Sequence, residues 1–264
     1  MWNTIILTPM VNILVGIYNF LLHNFGLAII LFTIIIRLIT FPLTAQQLKG
    51  QQKMNELNSS KKWQDIQKKY KDDREKLAQE QMALYREMGI NPFASCFPLL
   101  IQFPIMIGLY QSITLAMASA PIQLLNLSRS IYHFIPAALL IPINPHFLWL
   151  NLALPEAQSQ ILPIALPIIG YSIPIMTIIV VVTTYLQSKL MTPTSTNPND
   201  QSAQMSRSMN LMMPIMMGFI TFSIASGLAL YFIVSNLLGI AQYAMMGKAN
   251  WSNMLPKRKT ASAK

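Results

Sequence analysis

From residue 26 to residue 47 the chain carries one charged side chain, Arg37, set among isoleucine, leucine and phenylalanine. The run matches the roughly 20 apolar residues that a helix needs to cross a hydrocarbon core of ~30 Å. An arginine in the middle of such a helix costs ~2.5 to 3.5 kcal/mol on insertion scales, and it normally faces a partner or a water-filled cavity. Any fold for this chain must therefore house a permanent positive charge inside a bilayer. Composition puts the rest of the chain in the same class: 53% of the 264 residues are hydrophobic and only 11% charged, outside the soluble range.

Four further apolar runs, at residues 93–117, 160–190, 207–224 and 226–247, bring the predicted spans to five. The expected fold is an all-α integral membrane protein with five transmembrane helices, the last two joined near Ser226-Gly227. Charge placement orients it. Ten basic and seven acidic residues crowd between Lys49 and Glu87, which assigns residues 48–90 to the cytoplasm. Five spans then predict an outside N-terminus and a cytoplasmic C-terminus. The loop 191–206, flanked by Lys189 and Arg207, and the basic tail 248–264 agree with that parity, while the outside segments 1–25 and 118–159 hold only Arg129 and Glu156. The net charge of +10 is accounted for by this flanking pattern and not by a folded basic face for nucleic acid. The single cysteine, Cys96, excludes an intrachain disulfide framework and matches no zinc spacing. Neither a basic n-region nor a small-residue cleavage site accompanies the first apolar run, so no cleaved signal is expected.

Residues 4–23 are apolar enough to span, yet Thr8, Asn12, Gly16, Asn19 and His23 recur at helical steps and mark one polar face. The expectation is an amphipathic helix on the outer surface with Trp2 as an interfacial anchor; a sixth span is the alternative. In the cytoplasmic segment, Met54, Leu57, Trp63, Ile66 and Tyr70 stripe one helix and Leu77, Leu84, Tyr85 and Met88 a second. This predicts a helical hairpin turning at Lys71-Asp72-Asp73, with Asp72 as cap of the second arm and Glu75 three residues on. The stripes are expected to hold the hairpin together. The methionines Met205, Met209, Met212, Met213, Met216 and Met217 are read as lipid-facing or interhelical packing, with an adaptable apolar surface as the alternative.

Thr33, Arg37, Thr40 and Thr44 share one helix face. No predicted span contains an aspartate or glutamate, and His23, His133 and His146 all fall in outside segments. A proton-relay transporter needs such groups within the membrane, and an intramembrane protease needs a nucleophile beside a base. Neither set is present, so an enzyme is not expected. Snorkelling would have to carry the guanidinium past ten more residues, about 15 Å of helix, which is too far. What remains is a hydrated pocket whose countercharge arrives from outside the protein. Tyr231, Ser235 and Gln242 offer a polar stripe on the last span, and Gln102 lies between Pro98 and Pro104 on the second. Three readings fit this constellation: a hydrated pocket for a negatively charged group supplied from outside the protein, a small-anion transporter or channel with Arg37 as its binding charge, and an assembly factor in which Arg37 is shielded.

Three stretches resemble the YidC-type membrane protein insertases in order: Gly26–Thr44 (GLAIILFTIIIRLITFPLT), Gly89–Tyr110 (GINPFASCFPLLIQFPIMIGLY) and Gly227–Asn236 (GLALYFIVSN), the last followed by Gln242. The resemblance implies the compact bacterial form in the cell membrane: a five-helix core around a hydrophilic groove, open to cytoplasm and lipid and closed outside. Arg37 in that groove would draw in the polar or acidic flank of a nascent membrane protein, with Thr33, Thr40, Gln102, Tyr231 and Ser235 lining the path. The implied partners are nascent membrane proteins, the ribosome, the Sec translocon and lipids, with no cofactor, no metal and no specific nucleic-acid sequence. Phe232 departs from the Trp or Tyr that many members carry after the tyrosine, and the apolar segment Phe134–Pro142 lengthens the outside loop.

Overall fold

The computed structural model describes residues 1–70, 73–89, 97–117, 121–132, 135, 142–158, 174–191 and 201–247. A π-helical turn at Asn3–Leu7 leads into α1 (Thr8–Phe20), followed by α2 (Phe25–Ser59), α3 (Lys61–Lys69), α4 (Arg74–Glu87), α5 (Phe97–Ala116) and α6 (Pro121–Ser130). A two-residue hairpin of β1 (His146–Phe147) and β2 (Leu150–Asn151) precedes a short turn of helix at Glu156–Gln158. The chain then forms α7 (Ile175–Met191), α8 (Gln201–Ser223) and α9 (Ser226–Met245). It is an all-α integral membrane protein. Asn3–Phe20, Phe25–Gln46 and Ser226–Met245 are long and apolar enough to cross a bilayer, and Phe103–Ala116, Ile175–Leu190 and Asn210–Ser223 are shorter apolar helices.

The helix carrying Arg37 does not stop at residue 47. It starts at Phe25, capped by the Asn24 side chain on the Leu27 amide (3.1 Å), and runs unbroken for 35 residues. At 1.5 Å per residue that is about 52 Å, so some 20 Å extends beyond a bilayer core. The polar stretch after Gln46 is rich in good helix formers, and the helix runs through Gly50 to Ser59; the Ser60 hydroxyl then caps α3 through the Trp63 amide (3.2 Å). The first arm of the predicted hairpin is therefore the tail of α2 plus α3. Its second arm, α4, is capped by Asp73, which accepts from the Lys76 amide (3.1 Å), and not by the expected Asp72. Leu57, Trp63, Leu84 and Tyr85 are buried together as a small separate core, with Ile66 and Leu77 against it.

The polar stripe of α1 does not face water throughout. Asn12 is only 4% exposed. Its amide donates to the Ser130 carbonyl (2.8 Å) and its carbonyl accepts from the Tyr132 amide (2.6 Å), tying α1 to the end of α6. Trp2, expected as an interfacial anchor, donates its indole N–H to Gln111 of α5 (2.7 Å). At the other end of α1, Tyr18 stacks edge-on to Phe25 and accepts from the Asn144 amide. Between them, Met10 and Ile6 lie over Gly108 of α5.

These contacts gather at one end of the bundle, here termed the capped end, where α2 and α9 begin and α5 finishes. Seven consecutive residues of α9, Ser226 to Phe232, are buried there, and so are Phe25, Ala28, Ile29, Phe32 and Thr33 of α2. Past Thr33 no described residue of α2 is buried until Leu57, and Leu38 and Ile39 are 65% and 68% exposed. Among the described residues the opposite end is open along α2, while Leu190 of α7 and Gly239 and Tyr243 of α9 stay buried. The predicted apolar insertion Phe134–Pro142 falls outside the described residues except for Ile135 and Pro142, and so do the first part of the 160–190 run, the turn at Lys71-Asp72 and the basic tail.

Candidate functional site

α2 and α9 pack side by side with a constant register. Ile29 meets Gly227 and Arg37 meets Ser235, and both pairs are offset by 198 residues; Thr33 and Tyr231 fall at the same offset between them. The two helices are therefore parallel, and the threonine face of one lies along the polar stripe of the other. This follows from the sequence: small or polar side chains every third or fourth residue let two helix backbones approach inside a membrane. Gly227 is packed closely, and a Cβ there would press on Ile29, on Ile113 of α5 and on the Leu152 carbonyl at 3.3 Å each.

The guanidinium sits where the burial changes. Arg37 donates through Nε (3.0 Å) and a terminal nitrogen (2.5 Å) to the one hydroxyl of Ser235, which is 2% exposed. Among the described residues no carboxylate pairs with it; the ion pairs there are Lys62–Glu87 and Lys76–Asp73, both in the hairpin. A hydroxyl satisfies hydrogen bonding but does not neutralise charge, and a guanidinium has five N–H donors. The cation is thus held in place with donors to spare.

The predicted lining divides into two groups. Arg37 and Ser235 are in direct contact, and Tyr231, 2% exposed, lies one turn nearer the capped end on α9. Thr33 is fully buried and donates to its own helix at the Ile29 carbonyl (2.6 Å), so it belongs to the floor of the site and not to an exposed wall. Thr40 and Thr44 likewise donate to the Ile36 and Thr40 carbonyls, and both keep partial exposure on the open side of Arg37. Gln102 lies within α5, with its side chain outside the described residues.

Sequence reasoning missed the contribution of α7. A Cβ on Gly239 would collide with the Gln187 amide and lie 3.7 Å from Arg37, so Gln187 reaches across the bare backbone of α9 to the neighbourhood of the guanidinium. One turn away, Asn236 donates to Thr183 (3.1 Å) and Thr184 (2.8 Å), fixing α7 against α9. The signal was available: Thr183, Thr184 and Gln187 share a face of an otherwise apolar run. Gln242 also belongs here, on the open side, with its side-chain oxygen buried and without a partner among the described residues. A cavity of about 370 Å³ between Asn3, Tyr110, Gln111 and Asn126 lies at the capped end, away from this constellation.

A sequence profile of the 60Kd inner membrane protein family matches residues 16–253. The chain belongs to that family. Over 257 residues it is 34% identical to the membrane protein insertase YidC of Oceanobacillus iheyensis, covering 94% of this chain and 84% of that one. The membrane protein insertase MisCA of Bacillus subtilis is 33% identical over 246 residues, covering 91% and 77%. The YidC of Syntrophobacter fumaroxidans is 34% identical over 244 residues, 91% of this chain but 37% of that longer protein. These relatives include bacterial proteins both near to and well beyond the length of this chain.

Proposed function

We propose that the protein is a membrane protein insertase: it receives the polar flank of a nascent membrane protein at the open end of the bundle and releases the adjoining apolar segment into lipid. The observation that carries this reading is the half-open seam around Arg37, a mid-helix cation held by a neutral hydroxyl beneath a closed cap. The names of its relatives support it. A polar segment loses its hydration in hydrocarbon. A recess with hydroxyls, amides and one cation shortens that dry path, and its fixed charge favours acidic over basic flanks without nucleotide hydrolysis. In this reading Arg37 makes the first contact with the client. Ser235 holds the guanidinium until the client arrives, Thr40, Gln102 and Gln187 line the way in, and Thr33 and Tyr231 form the floor.

The open end faces the cytoplasm, where the hairpin of α3 and α4 meets the ribosome and the Sec translocon supplies some clients. α1 lies along the outer surface. Both its ends support this: Trp2 bonds to Gln111, five residues from the end of α5 at Ala116, and Tyr18 touches Phe25 at the start of α2. A spanning α1 would carry Trp2 to the opposite end.

The test is insertion of a single-span client with an acidic translocated tail into proteoliposomes, with the tail scored by protease protection. Arg37→Ala removes a charge-assisted contact worth ~1.5 to 3 kcal/mol and is expected to cut insertion by roughly tenfold or more, with most activity returning in Arg37→Lys. Unchanged insertion by the alanine variant would sink the charge-based mechanism. Specific flux of a small anion through purified protein, with no client crosslink from Gln187, would favour the transporter instead.

A further inference from the structure

The capped end closes on one buried acid. Glu156 is 4% exposed, in a region where residues 1–25 and 118–159 otherwise carry a single full charge, Arg129. Its two carboxylate oxygens accept from the Met176 amide (2.7 Å), the Thr177 amide (3.0 Å) and the Thr177 hydroxyl (3.2 Å). Those amides are orphan donors of the first turn of α7, and the positive end of that helix favours an anion there. The same short segment is sewn to the start of α9. The Ser226 amide (2.9 Å) and hydroxyl (2.8 Å) donate to the Leu154 carbonyl, the Gly227 amide donates to the Leu152 carbonyl (3.1 Å), and Pro155 bridges Ala225. Residues 152–156 therefore hold the first turns of two helices at once, directly above Thr33 and Tyr231.

We infer that Glu156 is the positioning residue that clasps α7 to α9 at the capped end and keeps the hydrated recess around Arg37 from opening through the whole bilayer. An insertase gains nothing from a recess that leaks, and no other charged side chain on the described cap is buried. The backbone bonds from Ser226 and Gly227 fix the segment to α9 alone. Met176 and Val180 of α7 share the buried core with Leu228 and Ala229, but among the described residues the Glu156 carboxylate alone extends hydrogen bonding from this segment to α7, whose Asn236 contacts begin two turns deeper, at Thr183. Losing the clasp frees the start of α7 to swing from α9, and the gap opens above Thr33.

This inference rests on the insertase reading, and the experiment keeps the two apart. A cysteine is placed at Thr33 in a Cys96→Ser background, and a membrane-impermeant thiol reagent is applied to the cap side of proteoliposomes. Client insertion is measured in the same vesicles. With Glu156 intact, labelling is expected to be slow. Glu156→Ala removes every hydrogen bond to the charged group and is expected to raise the labelling rate at least roughly tenfold. Glu156→Gln keeps size and one acceptor but sets an amide N–H against a backbone N–H, so it should fall between the two. Glu156→Gln also serves as the variant that folds if the alanine protein does not. Ser226→Ala, which leaves the backbone bonds, should stay at the parent rate. Parent-level labelling in folded Glu156→Gln and Glu156→Ala, with insertion preserved, would overturn the clasp and leave the insertase reading standing. Failure of the parent protein to insert any client would instead remove the reading on which the clasp depends.

Discussion

The two ends of this bundle are built from the same helices and behave differently. At the capped end α9 is buried on every side for seven residues. At the open end the same helix exposes Leu237 and Met245, and α2 exposes Leu38, Ile39 and Phe41. Isoleucine, leucine and phenylalanine recur on both sides of Thr33 between Phe25 and Leu43, so span composition does not create the difference. The connecting segments do. α1, α6, the β1–β2 hairpin and residues 152–156 all fold back over one end, where Phe147 covers Gly26, Asn12 is tied to the end of α6, and Leu152 abuts Gly227. At the other end the chain leaves as the long tail of α2 and packs its hairpin on itself. A closed floor and an open mouth thus come from where the loops go, and Arg37 sits at the boundary.

The sharpest way to break this comparison uses two phenylalanines nine positions apart on α2. Phe32 is fully buried in the capped core, and truncation of such a residue to alanine costs about 3 to 5 kcal/mol. Phe41 is 38% exposed, and its truncation should cost less than about 1 kcal/mol. Reversible unfolding in detergent measures both; equal losses would mean that the two ends are packed alike. Next in size is Gly227→Val. Its new methyls meet Ile29, Ile113 and a backbone carbonyl, none of which can retreat far, so a loss of about 1 to 3 kcal/mol is expected. Gly16→Ala is the control, because nothing lies within 4 Å of the added Cβ; it should be neutral or gain up to about 1 kcal/mol from helix propensity. Asn236→Ala, which unlinks α7 from α9 below the cap, should cost about 0.6 kcal/mol, the usual worth of an interhelical hydrogen bond in a membrane. A loss above 2 kcal/mol there would move the main α7–α9 attachment from the cap to the middle of the bundle.

Much of the frame could be read from the sequence, because a bilayer imposes long apolar runs and makes a buried charge conspicuous. Arg37 and its neighbour Ser235 emerged from that logic, each on a polar face of its helix. What covers such a face is a tertiary fact that no periodicity contains. Thr33 shares a helix face with Thr40, yet the cap buries one and leaves the other partly open. Asn12 looked like a water-facing residue because a polar stripe has the same period whether water or another helix satisfies it. The end of α2 was hidden for a different reason: polarity rises after Gln46, which ends an apolar run but not a helix. Glu156 was visible as an isolated acid. Its partners lie 20 and 21 residues further on, beyond the reach of any local sequence pattern.

The smallest predicted effect tests whether the hairpin stands apart from both ends. Lys62 and Glu87 join the tips of α3 and α4 at 2.6 Å, but their side chains are 59% and 62% exposed. Water and salt screen such a pair, and holding two long side chains in one geometry costs entropy, so Lys62→Ala should destabilise the hairpin by less than about 0.5 kcal/mol. Ser60→Ala, two residues earlier, removes the cap on the Trp63 amide and should cost about 1 kcal/mol. Local amide exchange in α3 and α4 reads both, while exchange in α9 should not change. If Lys62→Ala proved the more damaging, charge and not the Leu57–Trp63–Leu84–Tyr85 core would be holding the hairpin closed. If either variant loosened α9, the roughly 30 Å of continuous helix between Arg37 and Leu57 would be transmitting strain from the hairpin to the recess.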